Sequence, residues 1–453
     1  MRTIFISAFN PFILRNILLS DALTILKKQS DLRIVVLVPE YKVNFFKKEI
    51  GSPNTVIEGF KTQNITRQDA LFRFIMSSLA NTSTLRVHKK VEFLRSGRYL
   101  RYLTSMVLMN FLSYSKTFKR LMRTCDFLTL NKIKFSPLFE RYYPDLVFTT
   151  DVFNDDDVYL LAESRRRRVK TISMVRSWDN FTTKGVFRIK PDSLIVHNEI
   201  IRDEAVRYGD MKSADIIISG IPNYDRYFKG GRMTRQAFFK KIGLDSKRKL
   251  ILFSPFGNRF SETDWQIMSI LKEIIKSKLI PPAQVLVRFT PNDKVELGDF
   301  VPNQYFYIDK PGHQFKAGVF RDQELTHADM EWLADSLYHS DVLVAGGASI
   351  GIDAAIFGKP TILIHFDGLE DKPYAQSAKR FSNYSHGTQV TLKTGALRSA
   401  GSREELKQHL LDYLVNPMLD SDNRARMVQE QCWRLDGRAG ERIGQAILAE
   451  LGF

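Results

Sequence analysis

Only two cysteines, Cys125 and Cys432, occur among 453 residues. That excludes a disulfide framework and a four-cysteine zinc site, and it suits a reducing compartment. No run of 18 apolar residues is present, so no spanning helix is expected. The apolar opening MRTIFISAFNPFILRNILLS is interrupted by Asn10, Pro11 and Arg15 and shows no small-residue cleavage site, which reads against a secretory leader. Internal repeats and low-complexity segments are missing. So are a G-x-S-x-G elbow and a Walker loop, which removes the corresponding hydrolase and P-loop readings. The histidines offer no paired spacing: His313, His327, His339, His365 and His386 stand apart, so no metal site is expected. Asn-x-Ser/Thr matches such as Asn64 and Asn383 carry weight only in a secreted protein. Acid is also short. There are 67 Lys and Arg against 50 Asp and Glu, a formal +17, and such a field draws nucleic acid, anionic membrane or phosphate-bearing substrates.

What is present is an ordinary globular composition, 44% hydrophobic and 26% charged, at a length that suits two or three domains. Short apolar runs alternate with helical patterns. RTIFISAF, LRIVVLVP, DLVFTTD, KTISMV and SLIVHN read as buried parallel strands, the first over residues 3–8. ILRNILLSDALTILKKQS reads as the helix between the first two. A second series follows: KLILFSPF, QVLVRFTP, QYFYID, DVLVAGG and PTILIHFD as strands, WQIMSILKEIIKS and MEWLADSLYH as helices. The link between the series carries Gly230-Gly231 and several bases. The expected fold is α/β, two doubly wound Rossmann-like domains. Their expected limits are 1–227, 228–432 and a C-terminal helix, 433–453, returning to the first domain. One segment departs from the alternation. Residues 61–134 read as helical throughout, with 15 Lys or Arg against three acids, Asp69, Glu92 and Asp126. This basic helical insertion reads either as a solvated face or as a surface for anionic lipid or an anionic, lipid-linked substrate.

The stretch DVLVAGGASIGIDAAIFGKPTILIHFDG, residues 341–368, is the richest in chemistry. A buried strand runs into the tight turn Gly346-Gly347-Ala348-Ser349, and a helix follows that Gly358 and Pro360 end. Small residues at a helix N-terminus let a phosphate approach backbone N–H groups and the positive helix end. Asp353, the one charge between Asp341 and Lys359, reads as a carboxylate suited to the helix end or as an acceptor for ribose hydroxyls.

Here the sequence resembles the donor-binding domain of GT-B glycosyltransferases, in the branch of CDP-glycerol glycerophosphotransferase-like and surface-polysaccharide transferases. The residues that carry the likeness are Asp341, Gly347, Ser349, Gly358, Lys359, Pro360, Phe366 and Asp367. Ser219 to Asp225 is similar to that branch's G-x-P-x-x-D link, and Arg434 to Arg442 to its terminal D-G-x-a-x-x-R helix. Arg176 to Gly185 resembles the S-W-D-N-x-T-x-K-G segment of related polysaccharide enzymes. The likeness spans about residues 145–450. It implies the GT-B architecture and a nucleotide-diphosphate sugar as co-substrate.

Other residues are placed by that architecture. Arg288 ends a strand, where a cation can meet a diphosphate or a sheet-edge acid. Thr290 stands where the glycerophosphotransferases carry His, which favours a sugar donor. Phe256 and Asn258 follow the first strand of the second domain and are expected to line the same crevice. Asp179, in Arg176-Ser177-Trp178-Asp179-Asn180 at a strand end, is the candidate general base, with a pairing to Arg176 or a turn role as alternatives. Asn10, Arg15, Arg176 and Asn180 are expected to hold the acceptor. Asp155, Asp156 and Asp157 open a helix that Arg165–Arg168 close, which reads as dipole complementation rather than metal binding. Asp420-Ser-Asp422 reads as a helix cap.

The expected activity is a hexosyltransferase-like GT-B reaction without metal or other cofactor. The acceptor is a surface polysaccharide or lipid-linked, and the setting is cytoplasmic, peripheral on the inner membrane face. The competing readings are a glycerol- or ribitol-phosphate transferase with a CDP-activated donor, an epimerase of the same fold, and a non-catalytic nucleic-acid or membrane binder. The insertion lacks the aromatic strand pattern of single-strand binders, which counts against nucleic acid.

Overall fold

A computed structural model of the chain describes residues 1–61, 65–130, 134–229, 231–291, 293–316 and 322–453, the side chains of 385–387 excepted. Asn64, Gly230, Asn292, residues 62–64 and 131–133 of the insertion, and the His386 side chain lie outside the described residues. The chain forms two compact units. The first comprises residues 1–89, 97–228 and 432–453, the second 90–96 and 229–431.

The first unit is built on strands β1 (Arg2–Ser7), β2 (Leu32–Pro39), β3 (Thr55–Phe60), β4 (Leu146–Thr149), β5 (Lys170–Met174), β6 (Ser193–Val196) and β7 (Ile216–Ile218). They lie in the order β3-β2-β1-β4-β5-β6-β7, all parallel. The central strands are apolar without alternation because both faces are covered. Ile4 and Ile6 enter one core and Phe5 the other. The helical run expected after β1 is broken: a π-turn Leu14–Leu18 gives way at Ser20, whose hydroxyl caps the helix Asp21–Lys27. A capping serine inside an apolar periodicity starts a new helix rather than continuing the old one.

The C-terminal helix Ala439–Leu451 packs on Asp21–Lys27. Gly440 and Gly444 allow the approach: a Cβ on Gly440 would stand 2.9 Å from the Asp21 backbone nitrogen. Asp225 accepts the N–H groups of Ala439 (3.0 Å) and Gly440 (2.7 Å). Arg442 donates to the Ser219 carbonyl (2.7 Å) and to both oxygens of Asp436. The two segments 219–225 and 434–442 thus latch onto each other, a structural role for both.

Between β3 and β4 the insertion contributes helices Arg67–Ser78, Ser83–Ser96, Tyr99–Val107, Lys116–Thr129 and Ser136–Tyr142 and a π-turn, Leu108–Leu112. No strand occurs among its described residues. Its anchor is Arg188, 6% exposed, which donates to both oxygens of Asp126 (2.8 Å each), to Asp69 (2.9 Å) and to Asp155 (3.1 Å). Two of the insertion's three acids are therefore buried on one guanidinium.

The second unit holds β8 (Lys249–Ser254), β9 (Ala283–Arg288), β10 (Phe306–Asp309), a short hairpin of β11 (His313–Gln314) and β12 (Gln323–Glu324), then β13 (Val342–Ala345), β14 (Thr361–Ile364) and β15 (Leu397–Ala400). Its main sheet runs β10-β9-β8-β13-β14-β15, all parallel. The fold is thus α/β with two Rossmann-like sheets. In each, the strand order reverses at one point: between β1 and β4, and between β8 and β13.

Candidate functional site

Ligands of doubly wound sheets bind beyond the strand C-termini where the order reverses, because the chain leaves that point in opposite directions and opens a crevice. In the second unit this point lies between the loop after β8 and the loop after β13. The latter is the glycine turn. Gly346 is buried, and its N–H donates to the Ser254 carbonyl (3.0 Å). A Cβ there would lie 2.4 Å from the Phe256 ring. Gly347 is exposed, with nothing within 4 Å of a Cβ position. Ser349, also exposed, opens the helix Ser349–Ile356, whose N-terminus no side chain caps. Asp353 lies one turn further on the same face and is half-buried. Gly358, at φ +70°, ends the helix. The turn, the helix end and the carboxylate therefore stand together at the reversal point.

Phe256 forms the floor of the turn. It stacks on Phe381 at 4.8 Å, and Asp264 fixes its loop by accepting the N–H groups of Phe256 (2.9 Å) and Gly257 (2.8 Å). Burial pushes the Asp264 carboxyl up to about 7 despite those bonds. Asn258, in the same loop, makes local contacts. Its N–H donates to Lys294 and its Oδ1 accepts from Glu296, so it ties two loops together. Thr290 donates to the Pro255 carbonyl (2.6 Å), another loop tie.

Arg288 ends β9. Its neighbour across the strands is Asp309, and the guanidinium pairs with that carboxylate and donates to the Asp329 carbonyl (3.0 Å). Trp332 shares Asp309 at 3.1 Å. The cation is paired within the wall, as in the sheet-edge alternative for Arg288. The sequence reading missed Arg380. It is 3% exposed and donates to the carbonyls of Ser377 and Phe260, so a buried cation held by neutral oxygens stands against Phe381. Lone arginines in a loop carry no pattern that marks this. His365, after β14, is buried, bonds Ser399 and is held down to about 4 by burial. Asp367 accepts from Ser377 and from the N–H groups of Lys372 and Ala378, shaping the loop.

At the reversal point of the first unit a second polar group assembles. Asp151, 2% exposed, follows β4 and accepts from Asn10 Nδ2 (3.0 Å) and Arg176 Nε (2.9 Å). Asp151 was not singled out from sequence, since it reads as the tail of a strand. Arg176 thus pairs with Asp151 and not with Asp179. Ser7 donates to Asp157, which is fully buried, and burial with the nearby Asp151 charge raises its pKa above its ordinary value. Asp179 accepts from the Ser177 hydroxyl (2.6 Å) and precedes the helix Asn180–Lys184; Asn180 is buried and closes the turn by accepting from the Ser177 N–H (3.0 Å). Arg15 leans over Phe12 and donates to Asn16. Asn10, Arg176 and Asp151 therefore form one cluster, while Asn180 and Arg15 hold local structure. Of the three helix-opening acids, Asp155 binds Arg73 and Arg188, and Asp156 binds Lys134 (2.6 Å). Asp420 sends its side chain to Arg398 (2.9 Å) and Tyr413 (2.8 Å), while its carbonyl accepts from Arg424. It thus bridges the end of the sheet instead of capping by its carboxylate. Among the described residues no group of three or more His, Cys, Asp or Glu could hold a metal ion.

No family model matches the chain, and no curated protein sequence does. Solved structures do. A putative UDP-N-acetylglucosamine 2-epimerase from Listeria monocytogenes is similar at TM-score 0.55 and 10% identity, over 99% of this chain and 96% of that one. The UDP-GlcNAc 2-epimerase of Neisseria meningitidis bound to UDP-GlcNAc is similar at TM-score 0.53 and 11% identity, over 99% and 100%. The glycotransferase of kitacinnamycin matches at TM-score 0.50 and 12% identity, over 99% of each chain. At such identities the likeness is one of fold, and the fold this chain shares with these epimerases and glycosyltransferases is GT-B.

Proposed function

We propose that the chain is an enzyme acting on a nucleoside-diphosphate sugar, and that it transfers the sugar to a polysaccharide or lipid-linked acceptor. One observation carries the donor assignment: the open Gly347 and the uncapped end of the helix Ser349–Ile356 stand at the reversal point of the second sheet. A diphosphate there meets backbone N–H groups and the positive helix end, and Asp353 accepts ribose hydroxyls. The buried charge of Arg380 adds positive potential. The structures of similar fold solved with UDP-GlcNAc, or with UDP-GlcNAc and UDP, support the same ligand class.

On the acceptor side, Asn10 and Arg176 with Asp151 offer hydrogen bonds to sugar hydroxyls, and Asp179 is the base. In the reaction Asp179 takes the hydroxyl proton, the acceptor oxygen bonds to the anomeric carbon, and the bond from that carbon to the phosphate oxygen breaks. The diphosphate leaves with the electron pair, and its growing charge is what the helix end stabilises. Inversion at the anomeric carbon, and transfer without metal or cofactor, belong to this reading. A CDP-activated glycerol or ribitol phosphate fits less well, because Thr290 is occupied by the Pro255 carbonyl and supplies no titrating group.

A second reading, epimerisation of the nucleotide sugar without an acceptor, is favoured by the epimerases of similar fold. The test is a thermal-shift screen against UDP, GDP, CDP and their sugar conjugates. Incubation of the stabilising conjugate alone follows. Release of nucleoside diphosphate only when acceptor is added supports transfer. Conversion to the 2-epimer without acceptor replaces it. No stabilisation by any nucleotide overturns both.

A further inference from the structure

Surface helices bury an apolar face and show water a polar one. In the first unit the helix Tyr99–Val107 and the π-turn Leu108–Leu112 bury Ser105, Leu108 and Met109, the latter two in the insertion's small core. Outward they show Leu100 (79% exposed), Leu103, Val107 and Phe111 (74% exposed), and Tyr114 follows. Steps of three, four and four residues keep the first four on one face. Among the described residues, 11 of the 23 large apolar side chains that stand exposed fall within 61–134. This concentration exceeds the scatter expected of an ordinary surface and marks an interaction face.

Cations frame the stripe. Arg86 is exposed and is held by Asn81 (2.9 Å) and Asn110, and Asn81 reaches the Tyr114 hydroxyl (3.4 Å). The guanidinium is therefore fixed beside the last turn. Arg98 precedes the stripe, and Lys116 and Arg120 follow it, all exposed. Two of the insertion's three acids, Asp69 and Asp126, are buried on Arg188.

We propose that this face docks the protein on an anionic bilayer surface, with the apolar stripe among the acyl chains and the cations at the headgroup phosphates. Apolar residues flanked by arginine and lysine are what an interfacial helix requires. No helix among the described residues is long and apolar enough to cross a membrane. A second copy of the chain is the less suitable occupant, since a two-fold contact sets the same patch against itself and brings like cations together. The inference does not depend on the donor site.

The test is flotation of the full chain with vesicles of phosphatidylcholine and with vesicles in which a third of the lipid is phosphatidylglycerol, at low and high salt. The wild type floats with the anionic vesicles and much less with the neutral ones. Each arginine or lysine at an anionic surface supports roughly a five-fold gain in partition. The double variant Leu100→Asp/Phe111→Asp abolishes flotation, and Arg86→Gln/Lys116→Gln lowers it by roughly 10- to 30-fold. Leu279→Asp, at an exposed apolar residue of the second unit, leaves it unchanged. Far-UV circular dichroism confirms that each variant is folded. Absence of flotation at low salt, equal flotation on neutral vesicles, or a stripe variant that floats like the wild type overturns the proposal. So does sedimentation showing a dimer that the stripe variant abolishes while vesicles are not bound.

Discussion

Two adjacent glycines should separate packing from binding. Alanine at Gly346 places a carbon 2.4–2.6 Å from three atoms of the Phe256 ring. Carbon atoms favour about 3.5–4.0 Å, so the ring must retreat by about 1 Å. It has little room, since it is 6% exposed, stacked on Phe381, and held through its own N–H by Asp264. Overpacking of this kind costs about 1–3 kcal/mol, which in a unit of this size lowers Tm by roughly 2–12 °C. Alanine at Gly347 meets open space and no positive φ. Its stability should stay within about 0.5 kcal/mol of wild type. The methyl instead enters the volume assigned to the phosphate. Losing one hydrogen bond to a charged group, about 1.5–3 kcal/mol, raises Kd for the nucleoside diphosphate roughly 10- to 150-fold. Differential scanning calorimetry reads the first effect and titration calorimetry the second. A Gly347→Ala protein that binds nucleotide like the wild type refutes the reasoning, and so does one that melts as early as Gly346→Ala.

Other outcomes follow from the same contacts. Asp225→Ala leaves the N–H groups of Ala439 and Gly440 without their acceptor and removes a helix cap, so urea unfolding of the first unit should show a loss of about 2–4 kcal/mol. Asp225→Asn keeps one oxygen and should lose less. Asp264 titrates near 7 in the folded chain and near 3.8 unfolded, so the folded state holds the extra proton between those values. Stability then falls as pH rises from about 4 to 7 and is level above; Asp264→Asn should lack that slope, and equal slopes in the two proteins would remove the assignment. Arg288→Met leaves the partly buried Asp309 carboxylate to the Trp332 donor and should cost about 1–3 kcal/mol, with nucleotide affinity little changed. A sharp loss of affinity at unchanged Tm would assign the diphosphate role to Arg288.

The central strands of both sheets were legible because burial on two faces makes them continuously apolar. The strands that escaped are at or beside edges. β3 (TVIEGF) carries Glu58, which bonds Tyr142 and Arg141, β7 is three residues long, and β15 (LRSA) holds Arg398 paired to Asp412. An edge strand need not be apolar, so its pattern is weak. The glycine turn was legible because turn, helix start and helix stop are local. The Asn10–Asp151–Arg176 cluster was not, because its members are up to 166 positions apart in the chain and only the strand order unites them. Arg288 looked available for the same reason: its partner Asp309 lies on the adjacent strand, and register is invisible in a single sequence.

The central claim is that a diphosphate sits on the turn at Gly347. Amide spectra of the protein labelled with nitrogen-15 in its 25 glycines, with the Gly347 signal assigned by its loss in Gly347→Ala, test this directly. On addition of UDP, CDP or GDP the account predicts that the Gly347 amide moves, saturably, for at least one of them. A Gly347 signal that stays in place under a nucleotide shown by calorimetry to bind would contradict it.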